Sequence, residues 1–190
     1  MDIDGARAAL DARDVHLHDV LAACAIAGCV FAATYAVLEQ GLTTYRVGSA
    51  RAESQQAARA ALSRMSLEIR NAGRGARSTA PAILVAEPSR MVLASDLDDD
   101  GTTGGRGEQI TWQLVGSILR RNAGAGAQPV VNGVRALELR YFDGDGRATA
   151  DPLAIRSVEI VLLTAPDGPE SRHPRGTSTL MTTRVRLRNR

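Results

Sequence analysis

The side chains best suited to chemistry lie in one short stretch, Asp96-Leu97-Asp98-Asp99-Asp100-Gly101, followed by Glu108. Asp96, Asp98 and Asp100 occupy alternate positions, and glycine stands sixth. Alternate carboxylates of this kind can converge on one hard cation, and the glycine permits the sharp turn that closes the loop, as in calcium-binding loops. Glu108 closes the set one residue later than in the helix–loop–helix version, and the flanking sequence is not helical. Two readings therefore stand: a weak calcium site on Asp96, Asp98, Asp100 and Glu108, or a solvated acidic turn between strands. Calcium is the only cofactor the sequence suggests. The Asp143-Gly144-Asp145-Gly146 stretch is shorter and reads as an ordinary turn.

The remaining reactive groups offer less. Cys24 and Cys29 are five residues apart, which on a helix separates them by about 7.5 Å of rise, too far to close a disulfide with directions so different. His16 and His18 would project to opposite sides of a helix, so they make a poor zinc pair. Arg184, Arg186 and Arg188 line one face of a strand and read as a solvated surface. No serine, cysteine or carboxylate pair has an evident base beside it, so the sequence gives no reason to expect an enzyme.

These groups must be held by the elements around them. The chain has 190 residues with a formal charge of +2, every basic residue being arginine, and 44% of its residues are hydrophobic. Such a composition suits a folded domain with an appendage, and the near-neutral balance speaks against a dedicated nucleic-acid binder. The apolar residues are concentrated. Val20–Leu38 is nineteen residues without a charge, bracketed by Asp19 and Glu39, and about 20 apolar residues of helix cross a bilayer. The run is long for the core of a cleaved secretory signal, and residues 1–14 carry four Asp against two Arg instead of a basic region.

Helical periodicity continues beyond this run. Ala58, Leu62, Met65, Ile69 and Ala72 recur at spacings of three and four, with Gln55, Arg59, Ser66 and Arg70 opposite. Arg64 and Glu68 are placed for an i,i+4 ion pair. Gly73 and Gly75 supply the stop. One helix over residues 15–72 would measure roughly 85 Å, with Gly41 and Gly48 as its weak points.

After residue 72 the pattern changes to period two. Ile83–Ala86 and Met91–Ala94 flank a turn at residues 87–90. Ile110, Trp112 and Leu114 alternate with polar neighbours. Val115-Gly116-Ser117 turns the chain into Ile118–Arg121. Leu137, Leu139 and Tyr141 form another strand. Val158, Ile160 and Leu162, with Val161 and Leu163 between them, predict a central strand covered on both faces. Met181, Val185 and Leu187 point inward from the last. A helix followed by an antiparallel meander is an α+β fold, and the sheet should cover the Leu62–Ile69 stripe. The expected divisions are a polar leader over 1–14, the long helix over 15–72 with its span at 20–38, and a β-rich domain over 73–190.

This organisation resembles the type IV pilin and pseudopilin family. Local sequence adds to the likeness: Gln55–Leu62 and Leu67–Gly73 look like the helix end of PilW-type minor pilins. Gly107–Trp112 after the acidic loop, Leu119–Asn122, Leu137–Asp143 and Thr183–Asn189 are similar to that group as well. The resemblance covers about residues 15–190. It implies a structural subunit of a type IV pilus or type II secretion filament, anchored as a single pass in the inner membrane with its C-terminal domain in the periplasm or in the filament.

The implied partners are other pilin or pseudopilin subunits, the inner membrane and a prepilin peptidase. The family has glycine before the cleavage point, Phe or a similar residue after it, and a glutamate within the apolar run. The corresponding positions here are Asp14, Val15 and Asp19. The leader departs from the usual short basic one, and Asp14 replaces the glycine. Asp19 can take the glutamate's part with a shorter reach. The alternative is a single-span membrane protein whose periplasmic, calcium-stabilised domain binds a partner or secreted substrate.

Overall fold

The computed structural model describes residues 17–76, 80–166 and 178–189. Helix α1 runs from Leu17 to Asn71, 55 residues, or about 80 Å of helix at 1.5 Å per residue. It is followed by eight strands: β1 (Ile83–Ala86), β2 (Arg90–Ala94), β3 (Gln109–Val115), β4 (Ile118–Asn122), β5 (Gln128–Val131), β6 (Val134–Phe142), β7 (Ser157–Thr164) and β8 (Thr179–Arg186). The fold is α+β, a long N-terminal helix followed by antiparallel sheet.

By compactness the chain forms two units, Met1–Arg46 and Val47–Arg190. The second half of α1 thus belongs with the strands rather than with the apolar run. From Leu17 to Arg46 every helical residue is exposed, including Ile26, Val30, Phe31, Tyr35, Val37 and Leu38. From Ala58 onward one face is covered: Ala58, Ala61, Leu62, Met65 and Ile69 are buried. Ala61 joins the stripe read from the sequence because it lies between Ala58 and Met65 on the same face.

The strands form two sheets where the sequence suggested one. β1 to β5 make a five-stranded meander, and β6 to β8 make a three-stranded one. The break falls at Asn132-Gly133, where Gly133 takes a left-handed φ of 70° that turns the chain out of the first ladder. β5 has no counterpart among the strands expected from the sequence, and Pro129 within it opposes a strand locally. Its place resolves the conflict: β5 is the edge of its sheet, where a missing N–H leaves no ladder bond unmade. β7 is central, as expected, but only one of its faces is fully covered. Val158, Ile160 and Leu162 are buried while Val161 and Leu163 are half-buried.

Inner-face residues of both sheets meet the helix in one core. Ile83, Met91, Leu93, Trp112 and Leu119 come from the first sheet, and Leu137, Leu139, Ile160, Leu162 and Val185 from the second. Polar groups fasten the layers. Glu68 on α1 accepts bonds from Trp112 Nε1 at 2.7 Å and Arg121 Nε at 2.8 Å, besides the i,i+4 pair with Arg64 at 3.3 Å. One glutamate therefore ties the helix to β3 and β4. The Tyr141 hydroxyl of β6 donates to Glu87 O at 2.9 Å, joining the second sheet to the β1–β2 turn.

The end of α1 is closed from two sides. Gly73, with φ of 77°, leaves the helix in the left-handed conformation, and its N–H donates to Ala94 O. Asn189 Nδ2 reaches the terminal carbonyls of Asn71 and Ala72 at 3.2 Å each, groups that have no partner within the helix.

Candidate functional site

Two features could carry function, one in each unit. The first is the loop between β2 and β3. It starts at the far end of β2, where Asp96 N donates to Arg74 O at 2.8 Å and Ser95 N to Glu108 O at 3.0 Å. The loop is thereby fastened both to the chain leaving α1 and to its own returning end. Gly75 makes this approach possible: a β-carbon there would stand 2.6 Å from Asp96 O.

Within the loop, Asp96, Asp98 and Glu108 come together, each offering an oxygen within 4.8 Å of the others. Asp96 and Glu108 are each only 2% exposed, whereas Asp98 is open to solvent. Glu108 is held by backbone donors, Leu97 N on Oε1 at 2.8 Å and Gly105 N on Oε2 at 2.6 Å. Gly105 leaves room for this carboxylate, since a β-carbon there would meet Glu108 Oε2 at 2.7 Å and push it aside. Asp96 Oδ2 accepts from Gly101 N at 2.8 Å, and Asp96 Oδ1 is buried with no hydrogen-bond partner among the described residues.

Asp100, the remaining acid expected in the set, is not gathered with these three. Its Oδ1 turns back to accept from Thr102 N at 2.7 Å. That backbone bond, assisted by the Thr102 hydroxyl, holds the Asp100 carboxyl below the ordinary carboxylate range. The alternate spacing thus folds as a turn in which Asp99 takes a left-handed φ of 60°, and Asp100 is spent on the turn itself. The second acidic stretch is closed on itself as well. Asp143 Oδ1 accepts from Asp145 N and Arg147 N, and Asp145 pairs with Arg147 at 3.0 Å.

The second feature is the N-terminal part of α1, long and apolar enough by length and composition to cross a membrane. Its apolar side chains point in all directions, as a helix surrounded by apolar material requires. Its threonine hydroxyls are satisfied internally: Thr34 Oγ1 donates back to Val30 O and Phe31 O, and Thr43 and Thr44 to Glu39 O and Gln40 O, all at 2.9 Å. Cys24 and Cys29 are free and exposed. Asp19 lies exposed in the first turn. Asp14, Val15 and His16 lie outside the described residues.

Arg184 departs from the solvated reading in part: its guanidinium stacks 4.1 Å over the Phe142 ring and donates to Ser157 Oγ. Sequence reasoning also missed the Glu68–Trp112–Arg121 contacts. The i,i+4 spacing marked Glu68 but not its long-range partners. Comparison with protein-family models finds no match, and comparison with curated proteins finds no significant one.

Proposed function

We propose that this chain is a minor pilin-like structural subunit that assembles into a filament through its N-terminal helix and is not an enzyme. The observation that carries the reading is the division of α1. One continuous helix has a core-forming second half and a first half whose apolar residues are all exposed. Exposed apolar surface of this extent requires lipid or neighbouring helices. An assembly subunit uses both in turn: it waits in the inner membrane, with its β-rich domain on the periplasmic side, and then enters a bundle of similar helices. The exchange replaces one apolar surrounding by another, so the hydrophobic contribution nearly cancels, and packing with polar pairing decides the outcome.

Asp19 is the residue placed to supply such a pairing. A carboxylate at a helix centre costs about 2.5–3.5 kcal/mol on insertion scales and less near an end, and such groups usually have a partner. In this reading the partner is the free amine of a neighbouring subunit, exposed on Val15 by cleavage after Asp14. Mass spectrometry of the native N-terminus should show Val15. Asp19→Ala should then reduce incorporation into filaments at least tenfold while membrane insertion is unchanged. An intact Met1 or Asp2 terminus, or normal incorporation of the variant, contradicts the pairing.

A further inference from the structure

Among the described residues of the β-rich unit, three places stand out as candidates for a ligand. The arginine-lined recess at Asp143, Arg156, Ser157, Arg184 and Arg186 has its Arg184 already engaged by Phe142 and Ser157. The cavity at Ala72, Leu93, Leu97 and Ile110 has a mixed lining, and its carboxylate, Glu68, is already engaged by Trp112 and Arg121. The third is the acidic cluster of the β2–β3 loop, and there the geometry goes further.

We propose that Asp96, Asp98 and Glu108 form a calcium site that locks the β2–β3 loop onto the segment following α1. The acids alone would not argue for a ligand. What does is Asp96, 2% exposed, with one oxygen satisfied by Gly101 N and the other buried and unpartnered among the described residues. A buried carboxylate oxygen left unbonded costs free energy that a cation would recover. Beside it sits a second buried acid, Glu108, whose two oxygens are oriented by Leu97 N and Gly105 N and which forms no ion pair among the described residues. Asp98, at the solvent edge, gives an ion its way in.

The donor set selects the ion. All three ligands are carboxylates, which suits hard cations over zinc or copper. Oxygens bound at about 2.4 Å to one ion can stand at most about 4.8 Å apart. The three side chains meet that limit without rearrangement. Irregular loop backbone can complete a flexible shell of six to eight oxygens, which calcium accepts and magnesium, octahedral with shorter bonds, does not. Ion binding would also reach beyond the loop. Asp96 N is bonded to Arg74 O, and the Asp96 backbone lies against Gly75, so holding Asp96 holds the exit of the helix.

The test uses the full chain in detergent, stripped with a chelator and titrated with calcium chloride by calorimetry. Thermal unfolding is followed by the fluorescence of Trp112, the single and fully buried tryptophan. One saturable site with a Kd on the order of 0.1–1 mM is expected, with a rise in Tm of about 3–10 °C at 10 mM calcium. Asp98→Asn, at an exposed position, should weaken binding at least tenfold, and Asp145→Asn should leave it unchanged. Absence of heat and of any Tm change up to about 10 mM, magnesium binding as tight as calcium, or wild-type affinity in Asp98→Asn would each overturn the site. None of these results bears on filament assembly, which rests on the other unit.

Discussion

Single side chains decide how the layers of the β-rich unit are joined, and Tyr141 shows this through its protonation. Its hydroxyl is buried between the sheets and donates to Glu87 O. Burial first, and the nearby Glu87 charge second, push its pKa above the ordinary value of about 10. The folded form therefore keeps a proton that the unfolded chain loses above pH 10. Stability is fully present below that pH and falls as pH rises through the window above it, by about 1.4 kcal/mol per unit until the folded group titrates. Tyr141→Phe should remove this alkaline slope in chemical denaturation between pH 10 and 11, while costing about 1 kcal/mol at pH 7. An unchanged slope would mean that the hydroxyl is not buried as described. The same scale explains what the sequence reveals of the acidic loop. Spacing alone marked Asp96, Asp98, Asp100 and Glu108. Only the fold, by turning Asp100 onto Thr102 N and burying Asp96, separates three converging acids from one used locally.

At the scale of elements, legibility follows the range of the interaction that makes each one. α1 is written locally, in the Ala58–Ala72 periodicity and the Gly73 stop, and its second half folds as read. β5 is not, because Pro129 opposes a strand locally and only the edge position makes it tolerable. The split into two sheets depends on the turn at Gly133, one glycine among many. The helix also tests its own continuity. Gly41 and Gly48 lie within α1, and a β-carbon at either would meet nothing within 4 Å. Neither glycine serves close packing within this chain, so Gly48→Ala should gain about 1 kcal/mol of local helix stability. Amide exchange around residues 47–52 should slow by up to about fivefold in the full chain. Faster exchange would place a break in the helix there.

For the whole molecule, the two units divide the work. The unit from Val47 holds the buried core and stands as a folded body with its own sheets, whereas Leu17–Arg46 buries none of its side chains within the chain. Its first half is thus an element made for other surroundings, and assembly follows as the proposed use. The most direct measurement is immunodetection of the chain in surface filaments sheared from cells, with membranes and soluble fraction probed beside them. Filament assembly through the helix predicts the chain in the sheared filaments and, before assembly, in the inner membrane, resisting alkaline extraction. Filaments that lack it, or a chain recovered in the soluble fraction without detergent, would contradict the account.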